Sequence, residues 1–193
     1  MTTLVFASAN KDKIMEVSSK MGELPLNGLN DIGCLEELPE TGRTLEENAF
    51  QKAAFVFENY HCNCFADDTG LEVESLNNEP GVDTAFYAGP ERNAVANMNK
   101  VLERLLDKFN RKARFRTVIT LFLDGERFNF EGIANGTIAE KPSGNSGFGY
   151  DPIFIPEGYD QTFAELSLEI KNKISHRGRA LEKLSQFLAQ HRK

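Results

Sequence analysis

The sequence predicts an α/β domain with a mixed sheet, and three observations lead to that prediction. Apolar runs typical of strands alternate along the chain with amphipathic segments typical of helices, as in domains whose sheet is covered by helices. The clearest strand signal is the β-branched and aromatic run at residues 115–123. Asp124-Gly125 follows it, and Asp-Gly between two strand-like runs is typical of a type I′ hairpin, so one strand pair is expected to be antiparallel.

The first half of the chain is expected to contain a buried strand, two helices and a short second strand. Residues 4–7 form an apolar run suited to a buried strand, and a helix with one apolar stripe follows it as far as Met21. The short strand is predicted within residues 24–29. Thr44 and Glu47 have the spacing of a capping box, which predicts that the next helix begins there.

The second half of the chain is expected to combine helices with long loops. Helices are predicted over residues 91–108 and 178–192, because each segment carries an apolar stripe at helical spacing. Residues 79–90 are predicted to be a loop, and glycines indicate a further loop at residues 141–152. No repeat or linker interrupts these elements, so a single domain is expected over residues 1–193.

The acidic pair Asp67-Asp68 is predicted to lie at a break between two short strands. Thr69 and Gly70 follow it, and Asp, Thr and Gly are all turn residues, so a plain turn is one interpretation. The other is a functional pair, because neighbouring strand residues point to opposite faces and one acid can face a cleft while the other braces the backbone. Adjacent acids need a cation, a proton or hydrogen-bond donors nearby. A divalent metal serving a phosphate substrate would meet that need.

Composition and charge exclude several classes of protein. Apolar residues make up 40% of the chain, enough for a core, so global disorder is not expected. The net charge of −7 argues against a protein that binds a nucleic-acid backbone through a basic face. No apolar run approaches the roughly 20 residues of a membrane span. The N-terminus lacks the basic region of a signal peptide.

Cysteine usage predicts a cytoplasmic protein. The three cysteines form an odd set without a pattern, as expected in a reducing compartment. The segment at residues 61–64, His-Cys-Asn-Cys, has some features of a metal site. It lacks the second ligand cluster that a zinc site would need, so zinc is disfavoured.

A candidate anion site follows the first strand. Ser8 and Asn10 can donate hydrogen bonds there and Lys13 supplies a positive charge, while backbone N–H groups and the helix dipole favour anions at such a point. The glycines of a P-loop are missing. In the alternative interpretation Asn10 only caps the helix and Lys13 is solvated. The two interpretations are compatible.

Two later segments carry further candidate binding residues. Lys171, His176 and Arg177 surround the start of the last helix, where the alternative is a capped helix start with exposed basic residues. A basic residue is unfavourable at a helix N-terminus, so Arg177 suggests an acidic or carbonyl-bearing ligand. The loop at residues 147–152 pairs two aromatic residues with two glycines. It can either bring backbone and rings close to a base or form a turn with Phe148 in the core.

Together these segments resemble the inosine triphosphate pyrophosphatase family, which hydrolyses aberrant purine nucleoside triphosphates. No single segment is decisive, but the ordered set is highly specific. The matching pieces are Ser8-Ala9-Asn10-Lys11-Asp12-Lys13, Leu38-Pro39-Glu40-Thr41-Gly42, Glu47-Asn48-Ala49, Ala66-Asp67-Asp68-Thr69-Gly70, Gly147-Phe148-Gly149-Tyr150-Asp151-Pro152 and Ile174-Ser175-His176-Arg177-Gly178. The resemblance implies an elongated three-layer fold with a mixed sheet and the active cleft between two lobes. It also implies a requirement for Mg²⁺ and a homodimer.

The resemblance further implies roles for individual residues. Asp68 would be the catalytic acid–base residue and a Mg²⁺ ligand, with Glu40 as a second ligand, and Thr69 would contact substrate. The triphosphate would be bound by Ser8, Ala9, Asn10, Lys11, Asp12 and Lys13. The base would be bound by Phe148, Gly149, Tyr150 and Asp151. The residues that complete the site would be Lys171, His176 and Arg177.

Selectivity for hypoxanthine and xanthine would follow from hydrogen bonding. Both bases carry the acceptor O6 where adenine has an amino donor, and an arginine such as Arg177 can only donate. Two other functions remain open, namely a related pyrophosphatase for modified pyrimidine or other damaged nucleotides and a non-catalytic nucleotide sensor. A sensor has no need of a water-activating carboxylate such as Asp68.

Overall fold

The structure is a computed structural model that describes residues 3–22 and 24–191. Within these residues it has seven strands and five α-helices, which confirms the predicted mixed α/β class. The strands are β1 (Leu4–Phe6), β2 (Leu26–Asn27), β3 (Cys64–Val73), β4 (Glu79–Gly81), β5 (Lys112–Leu123), β6 (Glu126–Ile138) and β7 (Phe154–Pro156). The helices are α1 (Lys11–Met21), α2 (Leu45–Tyr60), α3 (Ala94–Arg104), α4 (Leu168–Ile174) and α5 (His176–Gln190).

The strands of the described residues form one mixed sheet. Its order is β2-β1-β3-β5-β6-β7, and β4 pairs with β3. β1 is parallel to both of its neighbours, since Val5 pairs with Asn27 on one side and Cys64 on the other. β4 and β7 run antiparallel to β3 and β6. The β5–β6 hairpin turns at Asp124 and Gly125, whose φ angles of 51° and 88° agree with the predicted type I′ turn.

The chain folds into two compact units, each built from separate stretches of sequence. The first unit contains the described residues up to Asp68, the segment Thr117–Gly132 and the described residues from Arg177 onwards. The second unit contains Thr69–Arg116 and Ile133–His176. Each unit has its own apolar core.

Helices cover both faces of the sheet in the first unit. Leu4 and Phe6 of β1 pack with α1 and α5 on one face, whereas Val5 packs with α2 on the other. This alternation follows from the two-residue period of a strand. Because β1 is buried on both faces, its sequence is continuously apolar, which is why it could be predicted. The arrangement within this unit has the three layers that the resemblance implied.

The core of the second unit is rich in aromatic residues. Phe115 of β5 packs against Phe154 of β7, with ring centroids 4.7 Å apart, and Met98 and Val101 of α3 join the same core. The predicted loop at residues 79–90 contains β4 and a series of turns, so part of that prediction is wrong.

The start of α2 agrees with its capping signal. Thr44 accepts a hydrogen bond from the N–H of Glu47 at 3.1 Å. The carboxylate of Glu47 reaches back to the N–H of Arg43 at 2.6 Å. The first bond satisfies one of the donors that a helix leaves unpaired at its first turn, and the second links the helix to the residue before its cap.

The predicted break at the acidic pair is wrong. β3 runs without interruption from Cys64 to Val73, through Asp67, Asp68, Thr69 and Gly70. It pairs with β1 before the acids and with β4 after them. Pairing with neighbouring strands therefore outweighs the local turn preference of these residues. The plain-turn interpretation is wrong as well.

Helix boundaries in the second half also differ from the predictions. α3 covers Ala94–Arg104 instead of residues 91–108, and its N-cap Asn93 accepts a hydrogen bond from the N–H of Ala96. The short helix α4 was not predicted. α5 begins at His176, two residues before the predicted start, and the predicted end at Arg192 lies outside the described residues. Among the helices that the structure describes, none combines the length and apolar composition needed to cross a membrane.

Candidate active site

The carboxylate of Asp68 in β3 is held by two side chains of α2. Lys52 Nζ lies 3.1 Å from Asp68 Oδ1, and Asn48 Nδ2 donates a hydrogen bond to Asp68 Oδ2 at 3.2 Å. Residues 48 and 52 are four apart, so both side chains project from the same face of the helix. The two oxygens of Asp68 are therefore bonded to one helix, one by a cation and the other by a neutral amide.

Lys52 also contacts Glu40, so its ammonium lies between two carboxylates. Its Nζ donates a short hydrogen bond to Glu40 Oε1. Burial alone would lower the pKa of Lys52, but Asp68 and Glu40 outweigh that effect and raise it. The pKa of Asp68 is raised, mainly by burial, and the charges of Glu40 and Asp67 add to the effect. Asp68 is therefore more basic than an ordinary aspartate.

The loop that carries Glu40 is tied to α2 by two more contacts. The N–H of Gly42 donates to Asn48 Oδ1 at 2.8 Å, and the N–H of Thr41 donates to Gln51 Oε1 at 2.9 Å. A Cβ atom on residue 42 would lie 2.8 Å from Asn48 Oδ1, so glycine allows this close approach of loop and helix. The position of Glu40 thus depends on side chains of α2.

Asp67 is paired with two cations. Lys13 Nζ lies 3.1 Å from Asp67 Oδ1, and Arg177 Nε donates to Asp67 Oδ2 at 3.1 Å. Burial alone would raise the pKa of Asp67, but Lys13 and Arg177 hold it well below the usual range. The pKa of Lys13 is lowered, mainly by burial. Asp67 therefore remains ionised and braces α1 and α5 against β3, and the prediction of a solvated Lys13 is wrong.

Arg177 is buried, with 2% of its surface exposed. Its guanidinium contacts Asp67 on one side and Glu16 of α1 on the other. Burial alone would lower the pKa of Arg177, but Asp67 and Glu16 raise it. Two carboxylates of the chain itself therefore offset the charge of this basic residue at the helix N-terminus, and the predicted ligand stays a prediction. The contact of Arg177 with a purine O6 stays a prediction.

The segment at residues 8–13 forms the start of α1, and Asn10 is its predicted N-cap. The Asn10 side-chain oxygen accepts hydrogen bonds from the N–H groups of Asp12 and Lys13, at 3.0 and 3.1 Å. Ser8 Oγ accepts one from the N–H of Asn10 at 3.3 Å. Two N–H groups at this helix start are thus satisfied by a side chain, and the phosphate site stays a prediction. The exposed residues of the segment are Ala9, Asn10, Lys11 and Asp12.

In the second unit, Asp151 organises the glycine-rich loop. Its Oδ2 accepts a hydrogen bond from the N–H of Phe148 at 2.7 Å and lies 2.5 Å from Lys171 Nζ. The same Nζ lies 4.9 Å from the centroid of the Phe148 ring. A Cβ atom on Gly147 would lie 2.1 Å from Asp151 Oδ2, so glycine is needed beside this carboxylate. Lys171 is therefore balanced by Asp151 within this unit.

Tyr150 and His176 are also buried in the second unit. The Tyr150 hydroxyl donates to the carbonyl oxygen of Thr84 at 2.8 Å, and burial raises the pKa of Tyr150. His176 stacks on Phe115 with ring centroids 4.5 Å apart. Of the two loop aromatics, Tyr150 anchors the loop while Phe148 is half-buried beside Lys171. The remaining predicted site residues, Gly149 and Thr69, are both half-buried, and the φ angle of Gly149 is 62°.

Glu40 and Asp68 fit a Mg²⁺ ion, the cofactor that the resemblance implies. Their oxygens already converge on one positive charge, the ammonium of Lys52. Mg²⁺ needs only one or two carboxylates, because it keeps several of its waters. Over the described part of the chain, no group of three or more His, Cys, Asp or Glu is placed to hold a metal.

The alternative zinc site at residues 61–64 gains no support. Cys64 is buried, and its Sγ donates to the carbonyl oxygen of Ala53 at 3.3 Å. Burial raises the pKa of this thiol to about 12. The thiolate that zinc requires is therefore disfavoured.

Sequence reasoning overlooked two buried polar residues at this site, Glu16 and Lys52, and it gave no role to Asn48, which lies in one of the matching motifs. Each lies on the inward face of a helix, among apolar neighbours such as Ala49 and Ala53. A polar residue on the apolar stripe of an amphipathic helix is rarely buried without a partner. A polar residue at an apolar position of the helical pattern was therefore the sequence signal that could have identified them.

The fold and the site together define a mixed α/β protein with a buried cluster of carboxylates and cations. Comparison with known sequences shows that the chain belongs to the Ham1 family, whose sequence profile matches residues 4–187.

Several relatives match over nearly their full length. A protein named dITP/XTP pyrophosphatase from Flavobacterium johnsoniae is 55% identical over 186 residues, which cover 96% of this chain and 97% of that protein. Its namesake from Bacillus subtilis is 43% identical over 193 residues, covering 97% and 98%. The solved Ham1 protein of Staphylococcus aureus has a TM-score of 0.89 at 38% identity, covering 98% of this chain and 100% of that one. These matches confirm the family that the sequence motifs predicted.

Proposed function

We propose that this protein hydrolyses noncanonical purine nucleoside triphosphates, such as dITP, ITP and XTP, to the monophosphate and pyrophosphate. Its relatives carry the name dITP/XTP pyrophosphatase in several bacteria and align over almost the whole chain. The structural observation that carries the proposal is Lys52, whose ammonium joins Asp68 to Glu40. Carboxylates that converge on a cation are suited to a reaction at a phosphate.

Glu40 and Asp68 would hold the magnesium ion of this reaction. The ion would neutralise phosphate charge and stabilise the pyrophosphate leaving group. Lys52, which now balances both carboxylates, would be freed to contact a phosphate oxygen when a divalent cation takes over that balance.

Asp68 would accept the proton of the attacking water. The reaction requires water to attack the α-phosphorus while the bond to pyrophosphate breaks, and the water proton needs an acceptor. The raised pKa of Asp68 makes it a stronger base than an ordinary aspartate. Asn48 would keep one of its oxygens in a fixed position.

Phosphate binding would fall to residues 8–13, and base binding to the loop that Asp151 organises. Lys13 would share its charge between Asp67 and a phosphate. Phe148, half-buried beside Lys171, would offer its ring to the base. Arg177 would act mainly by holding Asp67, because its guanidinium already contacts two carboxylates. A homodimeric state and a cytoplasmic location remain parts of the same proposal.

A substrate panel tests the proposal directly. Pyrophosphate release would be measured for ITP, dITP and XTP against ATP, GTP and dUTP, with and without Mg²⁺. We expect rapid release from the first three with Mg²⁺, and loss of nearly all turnover in a folded Asp68→Asn variant. Equal release from ATP would contradict the proposed selectivity. Preference for a pyrimidine nucleotide would favour the related pyrophosphatase, and tight binding without release would favour a sensor.

A further inference from the structure

The side chain of Asn48 has a defined orientation at the centre of the acidic site. It is 5% exposed, and its amide oxygen accepts a hydrogen bond from the N–H of Gly42 at 2.8 Å. A backbone N–H can only donate, so the atom facing Gly42 must be the oxygen. The NH₂ group therefore faces Asp68, 3.2 Å from Oδ2, where an ionised carboxylate can only accept.

This one amide connects both carboxylates of the site. It bonds directly to Asp68, and it bonds to Gly42, two residues after Glu40 in the loop. One helical turn later, Lys52 contacts Glu40 and the other oxygen of Asp68. A carboxylate bonded at a single oxygen can rotate about its last side-chain bond, whereas donors on both oxygens fix its plane. The neutral amide achieves this without adding a charge beside the cation that the carboxylates bind.

We propose that Asn48 is a positioning residue, which sets the plane of Asp68 and the place of the Glu40 loop so that both carboxylates meet one cation. The inference rests on the proposed function. In this role Asn48 acts through its contacts with Asp68 and Gly42.

Two substitutions of Asn48 separate its two contacts. Asn48→Asp keeps an oxygen to accept from Gly42, but it replaces the donor to Asp68 by a second, repelling carboxylate. Asn48→Ala removes both contacts. Gln51→Ala is the matched control, because Gln51 lies on the same helix and bonds the same loop at Thr41 without a hydrogen bond to Asp68.

The readouts are steady-state kinetics with ITP and the binding of Mn²⁺ alone, followed by electron paramagnetic resonance of the free ion. Supporting groups of metal ligands typically contribute 10–100-fold to activity or metal affinity, so we expect kcat to fall about 10–100-fold in both Asn48 variants. KM for ITP should change little. Asn48→Ala should also bind Mn²⁺ about 10-fold more weakly. Gln51→Ala, which loses only the loop contact at Thr41, should lose clearly less kcat and Mn²⁺ affinity than Asn48→Ala.

Several outcomes would overturn the inference. Wild-type kcat in folded Asn48→Asp would show that the contact with Asp68 is dispensable. If kcat falls as much in Gln51→Ala as in the Asn48 variants, Asn48 serves only to anchor the loop. If Asn48→Ala does not fold, the kcat of Asn48→Asp alone tests the inference. A wild-type protein that binds Mn²⁺ but releases no pyrophosphate would contradict the proposed function, and the Mn²⁺ affinity of the variants would then decide the role of Asn48.

Discussion

Asp67 and Asp68 are consecutive residues of β3, yet burial and charge shift their pKa values in opposite directions. Both carboxylates lose solvent, which by itself raises a carboxyl pKa. Two cations in direct contact, Lys13 and Arg177, overcome this for Asp67. Asp68 contacts one cation and has Glu40 close by, so burial prevails and its pKa is raised. Asp67 thus stays ionised and paired with its cations, whereas Asp68 is a candidate base.

Replacing Lys52 by Met tests the shared cation. The variant leaves Asp68 and Glu40 facing each other without their ammonium. Because Glu40 is 32% exposed, we expect the unfolding free energy to fall by less than the roughly 3–5 kcal/mol typical of a fully buried pair. Turnover should also be largely lost. Added Mg²⁺ should raise Tm more in the variant than in the wild type, as measured by differential scanning fluorimetry.

Lys173→Met is the control for that experiment. Lys173 forms an exposed ion pair with Glu169 on α4, and such pairs contribute little, so neither Tm nor its response to Mg²⁺ should change. If Mg²⁺ raises Tm by the same amount in Lys52→Met and in the wild type, the Lys52 ammonium and Mg²⁺ do not share a site.

Asp67 should make stability depend on acid pH. Its pKa is depressed in the folded protein, so its contribution is present above the unfolded value of about 3.9 and is lost as the pH falls through the folded value. We expect Asp67→Asn to be much less stable than the wild type at pH 7, since Lys13 loses the carboxylate that it pairs with and buried Arg177 loses one of its carboxylate partners. The difference should shrink as the pH falls below about 4. Urea unfolding at a series of pH values measures it, and a constant difference would contradict the ion pairs.

Much of the fold could be predicted because it depends on local signals. The Thr44 cap, the Asp124-Gly125 turn and the apolar run of β1 each act within a few residues, and each is confirmed. The continuity of β3 could not be seen, because Thr69 and Gly70 favour a turn locally and long-range pairing with β1 and β4 overrides them.

The site was predicted in its residue types but not in its pairings. The motifs included Asp68, Glu40 and Asn48 but assigned no role to Asn48, and Lys52 lies on a helix face that sequence periodicity assigns to the core. Pairing depends on which helix packs on which face of the sheet. That information is distributed over the whole first unit, and no short motif contains it.

The loop around Asp151 should depend on its carboxylate. In Asp151→Asn, the amide can keep one hydrogen bond, but the charge that balances buried Lys171 is lost. We expect KM for ITP to rise more than kcat falls, because the loss of this ion pair weakens the link between Lys171 and the loop that carries Phe148. Steady-state kinetics measures this, and Glu165→Gln is the control, since Glu165 braces the same loop through Ser143 without contacting Asp151 or Lys171. A fall in kcat at constant KM would contradict a role in base binding.

Arg177 has two candidate roles, and one experiment on two substrates separates them. A guanidinium at the purine edge would favour O6 over an amino group, so Arg177→Ala would reduce kcat/KM more for ITP than for ATP. A guanidinium that holds Asp67 would affect both substrates alike, because their triphosphates are identical. The observed contacts with Asp67 and Glu16 favour the second role. We therefore expect a large loss for both nucleotides, with an unchanged ratio between them and a lowered Tm.

Glu16→Gln provides the matched variant for Arg177. It weakens the far side of the guanidinium and leaves the contact with Asp67 in place. If Arg177 acts through Asp67, Glu16→Gln should cause a smaller loss of kcat/KM in the same proportion for ITP and ATP. A different result would assign Arg177 to the purine edge. In that case the ratio of kcat/KM for ITP to kcat/KM for ATP would fall in Arg177→Ala and stay unchanged in Glu16→Gln. Selectivity for ITP over ATP would then depend on the Arg177 guanidinium, and its orientation would not require the contact with Glu16.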